Sequence, residues 1–138
     1  MSFGARPTGY SAPLGPAASL PANLYVEQNN PSGSATASFT MNSNGTYSSV
    51  GNLSSESGTW QTGSGTGASY DVRVTLIDGS FDSGTTGSWL SLSSSRTWSM
   101  STTTIQFANS TIEVRDASTL VVLTTSSLFV QASVGAPP

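Results

Sequence analysis

The sequence predicts an all-β protein whose single domain is built from two packed antiparallel sheets. Three observations carry this. Apolar and hydroxyl residues alternate with period two in several short windows, which places successive side chains on opposite faces of a strand. Turn residues recur at intervals of roughly 8–12 residues. No window holds an apolar stripe at i, i+3, i+4 and i+7. Runs such as Ser93-Ser94-Ser95 and Ser101-Thr102-Thr103-Thr104 further oppose helix, because their hydroxyls compete for the backbone.

Residues 1–33 hold five of the seven prolines: Pro7, Pro13, Pro16, Pro21 and Pro31. Proline fixes φ and removes a backbone donor, so this stretch is expected as an extended arm, not a central strand or helix. Phe3, Tyr10, Leu14, Leu20, Leu24 and Tyr25 recur along it. A free tail has no use for so many apolar groups, so the arm is expected to dock on a neighbouring subunit. The alternative is packing on its own domain.

From residue 35 the strands follow in order. Ala35–Met41 alternates strictly, with Ala35, Ala37, Phe39 and Met41 inward. Asn42-Ser43-Asn44-Gly45 predicts a hairpin turn, because Asn-Gly accepts positive φ. Residues 46–53 return, marked by Tyr47 and Val50, with Ser48-Ser49 breaking the alternation as a bulge would. Residues 59–62 form a short strand. In 70–78, Tyr70, Val72, Val74 and Leu76 share one face, and Asp78-Gly79 turns the chain. Residues 89–92 and 96–100 are joined by a serine-rich turn. Residues 105–107, 111–115, 120–123 and 128–134 complete the sheets.

That gives roughly seven to nine short strands over about 100 residues, the arithmetic of an immunoglobulin- or fibronectin-like β-sandwich. A jelly roll is the alternative. The expected organisation is an arm over 1–33, a sandwich over 34–134 and a short tail over 135–138.

Composition excludes much chemistry. The 138 residues contain no Cys, no His and no Lys. Disulfides, thiolate nucleophiles, imidazole ligands, Ser-His-Asp triads and P-loop lysines are therefore out of reach. The net charge is −3, and four scattered Arg cannot make a phosphate-neutralising stripe, which argues against nucleic acid as a partner. Gly63-Ser64-Gly65-Thr66-Gly67 fails the phosphate-loop spacing. No apolar run approaches the ~20 residues of a membrane span, and the first ten residues lack a secretory pattern. Charged residues make up 8% of the chain, against about 25% in average proteins. Ser and Thr replace them on strand faces, which leaves edges poorly guarded and suits a surface meant to pack in an assembly.

Most of the seven carboxylates sit at turns or outward strand positions, so no catalytic, cofactor or metal residues are assigned and no enzyme is expected. Asp78-Gly79-Ser80-Phe81-Asp82 resembles a calcium loop only faintly, because Trp89 stands where the closing glutamate belongs. Trp98 shares a face with Arg96 and Met100 and reads as core. Trp89 lies opposite Leu90 and Leu92, so it reads as exposed or interfacial. Trp60 is open to either reading. Trp60 and Trp89 are the candidates for stacking on a glycan or lining an interface.

Asn-Gly-Thr-Tyr at 44–47, Gly-Thr-Trp at 58–60, Tyr-Asp-Val-Arg-Val-Thr-Leu at 70–76, Trp-Leu-Ser-Leu at 89–92, Arg-Thr-Trp at 96–98 and Ile-Glu-Val-Arg-Asp-Ala at 112–117 give residues 35–134 a resemblance to small β-sandwich virion proteins of tailed bacteriophages. The resemblance is one of style and spacing. It implies a non-enzymatic structural protein of the particle, foremost a minor tail or tail-tip protein, assembled in the bacterial cytoplasm. A capsid decoration protein and a carbohydrate-binding adhesin module are the alternatives. The implied partners are other virion proteins, further copies in a homo-oligomer, and a host surface glycan for the adhesin.

Overall fold

Two sheets lie face to face in this computed structural model, which describes residues 18–61 and 69–135. Nine strands are described and no helix: β1 (Asn23–Asn30), β2 (Ala35–Met41), β3 (Thr46–Val50), β4 (Gly58–Thr59), β5 (Tyr70–Gly79), β6 (Leu90–Ser91), β7 (Arg96–Thr102), β8 (Ile105–Asp116) and β9 (Val122–Val134). The five-stranded sheet runs β1-β9-β8-β5-β6 and the four-stranded sheet β4-β3-β2-β7. Every pairing is antiparallel except β1 with β9. The chain is thus an all-β sandwich, as expected from its alternation, and among the described residues no helix is long and apolar enough to cross a membrane.

The inward residues of β2 are those the alternation predicts. Ala35, Ala37, Phe39 and Met41 are buried and meet Trp98 and Met100 of β7 from the neighbouring strand. Opposite them lie Leu24 and Val26 of β1, Val72 and Val74 of β5, Ile112 and Val114 of β8, and Leu128 and Val130 of β9. The expected turn also forms: the Asn42 N–H donates to Thr46 O at 2.8 Å, with Gly45 at φ +94°. A left-handed residue there lets a short loop match the strand twist.

The sandwich starts earlier than position 34. Residues 23–30 pair along their whole length with β9, from Asn23↔Ser127 to Asn30↔Val134. Pro21 and Pro31 bracket β1 and do not interrupt it, so their missing N–H groups cost no ladder bond. Leu20 and Leu24, expected in an arm docked on a neighbour, are buried in the chain's own core. Phe3, Tyr10 and Leu14 lie outside the described residues, as do the glycine-rich loop 63–67 and most of the 135–138 tail.

Three smaller expectations also change. Ser48-Ser49 carries no bulge, because β3 pairs with β2 in unbroken register. The strands expected at 105–107 and 111–115 are one strand, β8. Ser110 in its middle is buried with its Oγ donating to Leu128 O at 2.8 Å, so a polar residue faces the core without loss of a partner. Of the strand expected at 120–123, Val122 and Leu123 open β9, which runs on unbroken into the strand expected at 128–134, while Leu120 and Val121 belong to the exposed hairpin turn.

The open edges are covered locally. Glu27 of β1 bridges to Ser54, with Glu27 N–H donating to Ser54 O at 2.9 Å. Ser99 of β7 bridges to Ser83, and Ser101 N–H donates to Asp82 Oδ2 at 2.7 Å. Loops therefore occupy backbone groups that charged side chains guard in other sheets.

Candidate interaction surfaces

The four-stranded sheet shows solvent a face of hydroxyls. Thr36 and Ser101 bond across β2 and β7 at 2.9 Å, and Thr40 and Thr97 at 2.8 Å. Ser38 and Ser99 are paired between them. Such cross-strand hydroxyl pairs contribute a few tenths of a kcal/mol each and leave the face polar but uncharged.

The outer face of the five-stranded sheet is chemically different. Tyr25 of β1 pairs directly with Phe129 of β9, their ring centroids 5.1 Å apart and their planes 9° from parallel. Phe107 of β8 continues the row, 6.1 Å from Phe129 at 21°. At these separations the near-parallel rings stack with offset faces. Tyr25 is 43% and Phe107 37% exposed, and Ile105, on the same strand face as Phe107, is 63% exposed. Burial against Phe129 and the Glu27 carboxylate beside it push the Tyr25 phenol above its usual range.

Farther along the same face, alternate positions of β5 and β8 carry opposite charges in register. Asp71 pairs with Arg115 and Arg73 with Glu113, and both ion pairs close at 2.9 Å. Trp89 covers them, with the Arg73 and Arg115 guanidinium carbons 4.4 and 4.3 Å from its ring centroid. These contacts are within cation–π range. They leave Trp89 half-buried.

Trp60 is 1% exposed, so its ring is core and presents no stacking face to a glycan. Its indole N–H donates to Asn42 O at 2.9 Å, and its ring meets Tyr70 edge-on at 5.3 Å. A depression of about 260 Å³ lies over this pair, rimmed by Ser43, Ser69, Ser91 and Ser93. Trp98 is fully buried, as its face predicted, and its indole N–H donates to Thr85 O at 2.7 Å.

Carboxylates serve as turn and edge acceptors. Asp116 Oδ1 takes the N–H groups of Ser118 and Thr119 at 2.8 Å each, which hold its carboxyl below the usual range. Asp82 Oδ1 accepts from the Gln106 amide at 3.1 Å. Among the described residues, no three acidic groups converge on a point that could hold a metal ion. The aromatic row went unseen in the sequence because its members lie on three strands, Tyr25 and Phe129 being 104 positions apart.

Compared with known proteins, the chain matches no family model, no curated protein and no solved structure.

Proposed function

We propose that the chain is a non-enzymatic structural protein of a tailed-bacteriophage particle, a minor tail or tail-tip protein that acts by packing against other virion proteins. The resemblance of residues 35–134 suggests this class. The observation that carries the reading is the Tyr25–Phe129–Phe107 row, extended by the exposed Ile105 on the outer face of the five-stranded sheet. An aromatic row on a sheet face suits a protein partner, since aromatic side chains are enriched in such interfaces.

The test is co-sedimentation. Tagged chain, and a Phe107→Ser/Phe129→Ser variant, are produced during infection, and particles are banded on a density gradient. The parent should band with particles and the variant should stay at the top. Absence of the parent from particles sinks the virion reading. Equal incorporation of both would leave the chain in the particle and remove the row as its contact.

A further inference from the structure

Charge at the aromatic end of the five-stranded sheet is of one sign. Glu27 lies two residues from Tyr25 on the same strand face, and its Oε1 accepts from the Tyr25 hydroxyl at 3.4 Å. Glu56 reaches β1 from the β3–β4 connection, and its Oε2 accepts from the Tyr25 N–H at 3.0 Å. The register carries the row across to a third carboxylate. Tyr25 pairs with Phe129, Phe129 with Asn109, and Asn109 with Asp78. Directly paired residues share a sheet face, so Asp78 stands at the far end of the line that Tyr25 begins. It is exposed, with its Oδ1 accepting from the Gly79 N–H at 2.9 Å.

None of these three carboxylates meets a cation among the described residues. The two ion pairs there, Arg73–Glu113 and Arg115–Asp71, are gathered under Trp89. Arg96 belongs to β7 of the other sheet and donates its Nε to Ser91 O at 2.8 Å. The rings between the carboxylates are open as well, with Tyr25 and Phe107 more than a third exposed.

Carboxylates beside exposed rings suit a guanidinium, which takes a carboxylate through its N–H fork and gains cation–π attraction from the ring. Spacing narrows the occupant. At ~4.8 Å between strands, the line from β1 to β5 crosses three gaps and runs about 14 Å. In an extended segment, residues i and i+4 share a face and lie about 13–14 Å apart. Two cations so placed reach both acidic ends, with residue i+2 over the rings. This chain does not supply them. Outside the described residues, 1–17 hold one basic side chain, Arg6, and 62–68 and 136–138 hold none. A second copy offers the same single Arg6 and the engaged Arg96.

We propose that the Tyr25–Phe129–Phe107 face receives an extended segment of a different protein that carries two arginines four residues apart, one held at Glu27 and Glu56 and the other at Asp78. This gives the partner of the packing reading above its chemistry and rests on that reading.

Fluorescence anisotropy tests it with two labelled heptapeptides, one with arginine at its second and sixth positions and one with glutamine there. The parent should bind the arginine peptide about tenfold more tightly, as two exposed ion pairs and a cation–π contact allow, and the preference should shrink in high salt. Glu27→Gln/Asp78→Asn leaves Glu56 on the β1 backbone, so its urea midpoint should match the parent's while the preference falls to about twofold. Phe107→Ser/Phe129→Ser keeps every charge and should also lose the arginine peptide. Equal binding of the two peptides by the parent, or binding of neither, overturns the proposal, and this comparison needs no variant to fold. An undiminished preference in the carboxylate variant overturns it too. So does one in the ring variant, which would reduce the effect to general attraction by a chain of net charge −3. None of these readouts needs particles. A chain absent from particles that prefers the arginine peptide sinks the virion reading alone, and a chain present in particles that shows no preference sinks this proposal alone.

Discussion

Replacing Leu24 by alanine should destabilise the chain itself, whatever its partners do. Leu24 is 1% exposed and sits in the core with Val26, Leu128 and Val130. Removing three carbons forfeits about 2 kcal/mol of transfer energy at ~0.8 kcal/mol per methylene, and the cavity left between the sheets raises the total to about 3–4 kcal/mol. With a urea m-value of ~2 kcal/mol/M for a domain of this size, the midpoint should fall by about 1.5–2 M at unchanged slope. Emission of the buried Trp60 and Trp98 provides the readout. Tyr25→Ser, one residue on but facing outward, should cost only about 1 kcal/mol, the loss of one ring stack. Truncation extends the same argument. Removing residues 1–17 should leave a folded domain, whereas removing 1–33 takes away β1 and uncovers β9, and should leave none. If Leu24→Ala unfolds at the parental midpoint while the mass in solution falls, Leu24 packs on a neighbour and the assignment of β1 to its own core is refuted.

Four further outcomes follow from single contacts. Gly79→Ala should cost about 3 kcal/mol by denaturant titration, because Gly79 has φ +81° and a Cβ there would collide with the carbonyl oxygen of Phe107. Gly51→Ala should cost about 1–3 kcal/mol and make light scattering concentration-dependent, because its Cβ would press on Ser54 O and, at 2.9 Å, on Glu27 O, lifting the loop that covers the β1 edge. Arg115→Gln should cost about 1 kcal/mol, less in high salt, and increase acrylamide quenching of Trp89, because Asp71 loses its partner and the indole one of its two guanidinium neighbours. Tyr25, Tyr47 and Tyr70 should ionise above pH 10 when followed at 295 nm, since burial foremost, and then Glu27, Glu56 and Asp116 respectively, raise their phenols above 10.0. A raised folded-state value means a contribution that is whole below the unfolded pKa of about 10 and fades as pH climbs through the folded values, so stability should drop on the alkaline side of pH 10.

What the sequence disclosed and what it hid divide along the range of the contacts. Ala35–Met41 is legible because its burial alternates with its own period, and Trp98 is legible as core from Met100 two residues on. β1 is not. Its polar half, Glu27 to Asn30, shows no apolar alternation, and it is held by amides: Asn29 N–H donates to Asn52 Oδ1 at 2.8 Å, and the Asn52 amide donates to Asn29 O at 2.7 Å. Its partner strand lies 104 positions away. Proline density pointed to an arm, yet Pro21 and Pro31 mark the two ends of a strand. Ser110 and Ser126 hid the continuity of β8 and β9, because each is a buried hydroxyl bonded to a backbone carbonyl. The aromatic row needs the register of three strands, which no local window contains.

The scarcity of charge takes on a different meaning once the edges are visible. A sandwich with 8% charged residues and no lysine lacks the usual means of blocking edge-to-edge pairing. Here the blocking is done by backbone, with residues 53–54 on β1 and 82–83 on β7. Of the eleven charged side chains, four are gathered under Trp89 as two closed ion pairs, so they contribute little net field. Outward faces are then free to be hydroxyl on one sheet and aromatic on the other. A protein guarded by long-range charge repels every neighbour, including copies of itself. One guarded only along its strand edges can still accept a neighbour on a sheet face or at a hairpin end. The Tyr25–Phe129–Phe107 row lies on a sheet face and starts on the covered edge strand β1 itself, and the exposed 120–123 end stands at a hairpin tip. Such a surface resists indiscriminate strand pairing through its edges while its sheet faces stay open to contact.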